Sequence, residues 1–260
     1  MKHATLITGA SSGIGKEFAY IAAAEGRNLV LTARSKDKLN ALKKELAKMY
    51  PNQLFEVIVS DLSQPDQADQ LYKTAASNYK VDVVVNNAGF GDLHSLKDAD
   101  STKLHEMIQL NCSSLVTLSK KAADDMTKNG GGHILNVASV AAFFPGPHMA
   151  TYYATKAFVL SFSEAIAVEL EDDNVVVSAL CPGPTQSEFA ATAKTNDTGV
   201  FANQSKLPTA KEVARYGWDS LMQNKTVAVH GTRNIAAVQL CRILPRKVVT
   251  RFIARSQKTS

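Results

Sequence analysis

Tyr152 and Lys156 are the residues whose types and spacing point most directly to chemistry. They lie four positions apart in a stretch without glycine or proline, and residues at this spacing share one face of a helix. A free tyrosine phenol has a pKa of about 10, and a neighbouring cation favours its ionised form. The pair therefore predicts a proton donor and acceptor, Tyr152, tuned by Lys156. An ordinary half-buried helix tyrosine is the alternative interpretation.

Ser139 is a second candidate, because it directly follows the apolar run His133–Ala138, which is typical of a strand. A hydroxyl at a strand end can donate a hydrogen bond to an oxygen on which negative charge develops. It can also cap the local backbone, which is a frequent role of serine.

A glycine-rich segment, Thr8-Gly9-Ala10-Ser11-Ser12-Gly13-Ile14-Gly15, lies near the start of the sequence. Gly9 permits a sharp turn, Gly13 permits close approach of backbone to a pyrophosphate, and Gly15 permits close packing of helix and strand. The N-terminus of the following helix would then present free N–H groups to phosphates. The segment predicts a dinucleotide site. A plain strand-to-helix turn is the alternative, and the position at the first strand–helix junction disfavours it.

These motifs must be positioned by short β-branched runs that alternate with longer helical patterns. The predicted strands are Ala4–Thr8, Asn28–Thr32, Phe55–Ser60, Val81–Asn86, His133–Ala138, Val175–Leu180 and Thr226–His230. The predicted helices lie near residues 15–25, 36–49, 66–79, 101–128, 151–171 and 210–223. Such alternation implies right-handed crossovers and a parallel sheet covered on both faces. We therefore predict an α/β fold, a single doubly wound Rossmann domain over residues 1–260 with a parallel sheet of about seven strands.

Residues 184–208 break this alternation with small and polar residues. A connection of this length is usually functional or disordered, and it leaves the carboxyl end of the sixth strand, where ligands bind in open α/β folds. We predict a substrate lid there. Four residues of the loop before Tyr152 either line the substrate site or simply pack, namely Phe143, Phe144, His148 and Met149.

Several motifs stand in order along the chain: the glycine loop, Asn86-Asn87-Ala88-Gly89, Asn111, Ser139, Tyr152-x-x-x-Lys156 and Pro182-Gly183. Together they resemble the classical short-chain dehydrogenase/reductase family over roughly residues 4–235. The resemblance implies that Tyr152 is the general acid/base, that Lys156 also holds ribose hydroxyls, and that Ser139 polarises the substrate oxygen. Asn111 would hold a helix bend and a water that links the lysine to solvent. A buried structural asparagine is the alternative there.

The resemblance also implies a set of cofactor-binding residues, in which Asp61 reads the adenine amino group and the backbone from Pro182 to Thr185 meets the nicotinamide carboxamide. Asn86 would tie neighbouring strands together. Arg34, at the end of the second predicted strand, completes the set of predicted cofactor-binding residues. They are Gly9, Ser11, Ser12, Gly13, Ile14, Gly15, Arg34, Asp61, Leu62, Asn87, Ala88, Gly89, Tyr152, Lys156, Pro182, Gly183 and Thr185.

The end of the second strand predicts the choice of cofactor. NADH-specific enzymes place Asp or Glu there to accept from both ribose hydroxyls. This sequence has Ala33 at the corresponding position, followed by Arg34, whose planar guanidinium suits a 2′-phosphate. NADP(H) is therefore preferred, and NAD remains possible. One departure is Ser12, where many NADPH-dependent relatives carry a basic residue.

The predicted reaction is hydride transfer between NADP(H) and a small-molecule ketone/alcohol or aldehyde/alcohol pair. Two alternatives stay open: a 3-oxoacyl-thioester reductase of the same family, and a non-catalytic NAD(P)-sensing regulator. The presence of Asn111, Ser139, Tyr152 and Lys156 argues against the regulator, because a sensor does not need groups that transfer protons.

The composition restricts where this chemistry takes place. The chain has 260 residues, of which 45% are hydrophobic, and no apolar run is long enough to read as a membrane span. A strand pattern begins at Ala4, which leaves no room for a signal peptide, and the three cysteines are typical of reduced thiols. We expect a cytoplasmic protein. The histidines show no metal-ligand spacing, so no metal is predicted.

The net charge of +5 arises from the C-terminal segment, where six basic and no acidic residues occur from Arg242 onward. This basic tail, residues 242–260, does not predict a nucleic-acid-binding face of the whole domain. Residues Cys241 to Arg255 either lie on an anionic membrane surface as an amphipathic segment or pack beside the lid. The apolar surplus of stretches 101–128 and 151–171, with the family resemblance, predicts a dimer or tetramer.

Overall fold

Parallel strands form one seven-stranded sheet in a computed structural model that describes residues 1–189, 193 and 204–256. The strands are β1 (Lys2–Thr8), β2 (Asn28–Ala33), β3 (Phe55–Val59), β4 (Tyr79–Asn86), β5 (Gly132–Val137), β6 (Val175–Cys181) and β7 (Val227–Val229). Their order in the sheet is β3-β2-β1-β4-β5-β6-β7. This order confirms the predicted doubly wound Rossmann fold. The strand order reverses at β1, because β2 and β3 lie on one side of β1 and β4 to β7 lie on the other.

The central strands are apolar on both faces because helices cover the sheet on both sides. Ala4 to Thr8 of β1 and Val83 to Asn86 of β4 are buried without interruption. Two large apolar clusters lie on opposite faces of the sheet, one around Phe18 and Trp218 and the other around Tyr72 and Leu118. Continuous apolar runs, and not alternating ones, were therefore the correct sign of these strands.

The helices are α1 (Gly13–Ala24), α2 (Lys36–Met49), α3 (Gln67–Asn78), α4 (Ser101–Ile108), α5 (Leu115–Lys128), α6 (Ala150–Glu169), α7 (Ala210–Met222), α8 (Thr232–Ile243) and α9 (Arg246–Ser256). The predicted helical stretch 101–128 is helical throughout, but it is not one regular α-helix. A single wide π-helical turn, Gln109–Ser114, separates α4 from α5. Turns of this kind insert one extra residue and frequently occur at functional sites.

The C-terminal part also differs from the prediction. Sequence analysis did not predict α8, and the amphipathic segment from Cys241 to Arg255 is divided between two helices. The break falls at Leu244, whose backbone is extended and which precedes Pro245. A residue before proline is disfavoured in the helical conformation, so α8 ends there.

Only part of the predicted lid lies within the described residues, because 190–192 and 194–203 fall outside them. The segment is fixed to the body of the fold where Gln186 forms an isolated parallel bridge with Thr209, which caps α7. None of the described helices combines the length and apolar character that crossing a bilayer requires.

Candidate active site

A cavity of about 900 Å³ lies at the carboxyl ends of the strands, on the side where the chain reverses between β1 and β4. Nearly all residues proposed from the sequence line this cavity, although they come from seven separate segments of the chain. They are Gly9, Ser11, Ser12, Gly13, Ile14, Arg34, Asp61, Leu62, Asn87, Ala88, Gly89, Ser139, Tyr152, Lys156, Pro182, Gly183 and Thr185. Gly15 and Asn111 do not line it.

The glycine loop is held by bonds to the end of β4. Thr8 Oγ1 accepts hydrogen bonds from the backbone N–H groups of Asn87 (3.0 Å) and Ala88 (2.9 Å). Asn87 Nδ2 donates to the Thr8 carbonyl at 2.9 Å. Gly9 has a φ of +66°, and a Cβ built on it would lie 2.7 Å from Asn87 Nδ2. Glycine is therefore required here by both backbone conformation and space.

Gly15 has a different part in the site from the other loop glycines. It is buried in the first turn of α1, and a Cβ on it would lie 2.3 Å from the Gly9 carbonyl oxygen. Its hydrogen atom therefore allows helix and loop to pack, which is the role predicted for it, although Gly15 does not line the cavity. Its place in the cofactor-binding set stays a prediction.

The far end of the cavity is polar and fits the adenosine half of a dinucleotide. The buried Thr32 hydroxyl lines it and has no hydrogen-bond partner among the described groups. Arg34 and Lys38 lie at the same end. Asp61 accepts from the backbone N–H and the hydroxyl of Ser63, at 3.1 and 2.7 Å, through one carboxylate oxygen. An orphaned hydroxyl and basic side chains beside the glycine loop are the donor set that such a ligand needs.

Ser12 and Glu188 connect the glycine loop to the start of the predicted lid. Lys38 Nζ binds the Glu188 carboxylate at 2.9 Å, and hydrogen bonds from Lys38 and Ser12 lower the pKa of Glu188. A Cβ on Gly13 would lie 3.3 Å from Ser187 Cβ. The first described residues of the lid segment therefore lie directly over the loop.

Tyr152, Lys156 and Ser139 meet at the opposite end of the cavity. Tyr152 and Lys156 lie on one face of α6 and are only 9% and 5% exposed. Lys156 Nζ donates to the Val137 carbonyl at 2.8 Å and lies 5.9 Å from the centre of the Tyr152 ring. Ser139 caps the short 3₁₀ helix Val140–Phe143 by accepting from the Ala141 N–H, so the capping role given as the alternative for this serine is present.

Burial sets the protonation states of Tyr152 and Lys156. Desolvation raises the pKa of Tyr152 above its ordinary value, and a hydrogen bond with Ser139 opposes this shift. Desolvation also lowers the pKa of Lys156 to about 8. The tyrosine is thus a neutral phenol at neutral pH in the free protein, while Lys156 is mostly charged there. This is the state in which Tyr152 can donate a proton.

Asn111 lies in the π-helical turn, outside the cavity lining, and supports the site through hydrogen bonds. Its side chain donates to the Phe90 carbonyl (3.0 Å) and the Thr155 hydroxyl (3.0 Å) and accepts from the Phe90 N–H (3.2 Å). A Cβ on Gly89 would lie 3.0 Å from Asn111 Oδ1 and 3.4 Å from Lys156 Nζ. The π-helical turn interrupts the α-helix where the resemblance implied a bend, and Asn111 joins the loop after β4 to the helix that carries Tyr152.

Asn86 joins the strands behind the site. Its amide donates to Asn136 Oδ1 (2.9 Å) and Ser119 Oγ (3.0 Å), and Asn136 donates in turn to Ser163 Oγ (2.9 Å). The tie between neighbouring strands that the resemblance implied for Asn86 is therefore seen in the structure.

The cavity beside Tyr152 has an apolar wall that sequence reasoning largely missed. Phe144 and Met149 line it, whereas Phe143 packs in the core and His148 lies outside the lining. Phe90, Leu93 and Phe189 pack around Tyr152 from other parts of the chain, and Phe252 and Ile253 of α9 line the same cavity. No local pattern marks these residues, because only the fold brings them to one cavity.

The family model described as short chain dehydrogenase matches residues 3–198. A very-long-chain 3-oxoacyl-CoA reductase from Phaeosphaeria nodorum is 29% identical over 97% of this chain and 79% of its own length. Two further fungal relatives of that name match over 63% and 64% of their own lengths.

Two solved structures are similar over most of both chains. A short-chain dehydrogenase from Sphingobium yanoikuyae in complex with NADPH is 28% identical, with a TM-score of 0.82 and coverage of 93% of this chain and 94% of that one. A bulky-bulky ketone specific alcohol dehydrogenase from Comamonas testosteroni is 26% identical, with a TM-score of 0.79 and coverage of 93% and 92%. The strand order, the glycine loop and the family match agree, and the chain belongs to the short-chain dehydrogenase family of oxidoreductases.

Proposed function

We propose that the protein interconverts a ketone and an alcohol with NADP(H), and that Tyr152 is the general acid/base. The observation that carries the proposal is the buried Tyr152 side chain, which lies beside Lys156 in the same cavity as Ser139 and the glycine loop. A non-catalytic sensor of the cofactor has no need of such a proton-transfer group.

Each residue has a defined task in the reduction of a carbonyl. A nicotinamide held in this cavity would supply the hydride that the carbonyl carbon accepts. Tyr152 gives its phenolic proton to the carbonyl oxygen, and Ser139 donates a hydrogen bond to that oxygen as its charge develops. The charge of Lys156 stabilises the phenolate that remains. In the reverse direction, the phenolate removes the alcohol proton.

NADPH is the proposed cofactor because of the residues at the end of β2. Arg34 faces the polar end of the cavity and Ala33 presents no carboxylate to repel a 2′-phosphate. The similar Sphingobium protein is in complex with NADPH, which supports this choice.

The proposed substrate is an apolar carbonyl compound, because aromatic and aliphatic side chains form the wall beside Tyr152. A 3-oxoacyl thioester is a second candidate, favoured by the names of the fungal relatives. The ketone class is favoured by the name of the Comamonas enzyme. Both contain the same reacting group, so the catalytic residues do not distinguish between them.

A substrate panel tests the proposal. We would follow the absorbance of NADPH and, separately, NADH with bulky cyclic ketones and with 3-oxoacyl thioesters of short and long chains. We expect turnover with NADPH, and kcat/KM that rises with the apolar size of the carbonyl compound. Tight NADPH binding without turnover of any member of the panel would favour the sensor and contradict the enzymatic proposal.

A further inference from the structure

The last two described helices present an apolar and basic surface to solvent, which we name the α8–α9 surface. Among its apolar members, Ile243 is 83% and Phe252 is 69% exposed. Its members are Leu240, Ile243, Leu244, Val248 and Phe252, together with Lys247, Arg251 and Arg255. Side chains of this size are normally buried, so a cluster of them outside the core indicates an interaction site.

The arrangement along α9 separates an inner and an outer face. Val249 is 5% exposed and packs inward, whereas Val248 and Phe252 lie one turn apart on the outside. Lys247, Arg251 and Arg255 follow the adjacent strip of the same helix at successive turns. The exposed side of α9 is therefore itself amphipathic, with an apolar strip beside a basic one.

The charge on this surface is of one sign. The sequence has no acidic residue after Asp219, although eight basic residues follow it. Within the part of the chain that the structure describes, no ion pair involves Lys247, Arg251 or Arg255. Two copies of this surface placed face to face would bring like charges together, which disfavours self-association through it. Anionic headgroups above an apolar layer complement both of its strips.

We propose that the α8–α9 surface docks on an anionic membrane surface, and that docking turns the substrate cavity toward the bilayer. The second observation behind this inference is that α9 also contributes to the cavity, since Phe252 and Ile253 line it. A helix that lies on lipid would then place one end of the apolar wall next to the bilayer. This second part rests on the proposed apolar carbonyl substrate, whereas the docking itself does not.

Vesicle co-sedimentation of the full chain tests the docking. We expect the protein to sediment with vesicles of phosphatidylcholine and phosphatidylglycerol, to stay in solution with phosphatidylcholine alone, and to be released by salt. Each basic residue near an anionic surface contributes roughly fivefold to the binding constant. Three substitutions on α9 should therefore weaken binding roughly 100-fold. They are Lys247→Gln, Arg251→Gln and Arg255→Gln.

A matched control removes the same charge from another exposed helix. On α2, three of the exposed lysines outside the cavity are changed in the same way: Lys43→Gln, Lys44→Gln and Lys48→Gln. This variant should bind vesicles within about threefold of the unchanged protein, because charge far from a surface is largely screened.

The apolar strip is tested by a second pair of variants. Ile243→Ser with Val248→Ser should weaken binding, whereas Met49→Ser with Leu54→Ser, at exposed sites elsewhere, should not. Thermal unfolding and NADPH binding of each variant show that it is folded.

The docking would be overturned by failure to sediment with the phosphatidylglycerol vesicles, by equal sedimentation without phosphatidylglycerol, or by unchanged binding of the α9 variant. A change in the mass of the protein in solution on altering Ile243 and Val248 would assign the surface to contacts between copies, and would overturn it as well. Sedimentation needs no turnover, and reduction of a water-soluble ketone needs no membrane. Failure of the docking and failure of the proposed reaction are therefore separate results.

Discussion

The end of β2 allows the choice of cofactor to be tested by single substitutions. Arg34 is exposed at the edge of the cavity, and a hydrogen bond between charged groups contributes roughly 1.5–3 kcal/mol. Solvent screens an exposed pair, which favours the lower part of this range. Arg34→Ala should therefore weaken NADPH binding about 10- to 30-fold and leave NADH binding nearly unchanged.

Lys38 adds less to this preference than its position suggests. It is bound to Glu188, and the two side chains are 51% and 62% exposed. Its charge is therefore partly neutralised and well hydrated before any phosphate arrives. Arg34, and not Lys38, should dominate the discrimination between the two cofactors.

Ala33→Asp tests the same site in the opposite direction. A carboxylate at this position would repel the 2′-phosphate and accept hydrogen bonds from the ribose hydroxyls of NADH, so the preference should turn toward NADH. Dissociation constants of both cofactors are measured by fluorescence titration at one salt concentration. Lys43→Ala, which removes an exposed charge outside the cavity, is the control. Equal affinity of the unchanged protein for NADH and NADPH, or equal weakening of both by Arg34→Ala, would refute the reasoning.

Three further predictions concern protonation, the π-helical turn and assembly. The kcat/KM of carbonyl reduction should fall as pH rises through about 8, because Lys156 loses its charge there, and a flat profile from pH 7 to 10 would contradict this. Asn111→Ala should lower the free energy of unfolding in urea by about 2–4 kcal/mol, because buried polar groups lose their hydrogen-bond partners. The exposed Asn129→Ala is the control. An equal loss of stability in both variants would count against a structural role of the π-helical turn. Phe158 and Val168 are exposed on α6, and we expect a dimer or tetramer by light scattering, which a monomer mass would exclude.

Much of the architecture was accessible from the sequence because its signals are local. Val83 to Val85 form a run that is apolar on consecutive residues, which a strand needs only when both faces are covered. The same logic placed Ser139 and Asn87 at strand ends, and parallel strands bring their carboxyl ends to one edge. The meeting of Ser139 with Tyr152 did not follow from that geometry, because Tyr152 lies on a helix; it was implied by the family resemblance.

Other features depend on contacts between distant segments. The resemblance implied a bend at Asn111, but the bonds of Asn111 to Phe90 and Thr155, which accompany the π-helical turn Gln109–Ser114, form only in the folded chain. The apolar wall is similar, because Phe252 reaches the cavity only through the packing of α9. The break at Leu244 had a local signal, Pro245, which sequence analysis did not use.

The central claim is that the Tyr152 hydroxyl transfers the proton. Tyr152→Phe keeps the ring against Phe189 and removes only the hydroxyl. Tyr216→Phe removes the hydroxyl of a tyrosine outside the cavity, which donates to the Val229 carbonyl, and serves as the control. General acid catalysis contributes roughly 10²- to 10⁴-fold to a rate.

The most direct measurement compares turnover and NADPH affinity in these two variants and the unchanged protein, with a ketone that the unchanged protein reduces. We predict that Tyr152→Phe lowers kcat at least about 100-fold while the dissociation constant of NADPH changes less than about threefold. Tyr216→Phe should retain most of the activity. Turnover by Tyr152→Phe within about tenfold of the unchanged protein would contradict the assignment of Tyr152 as the proton donor.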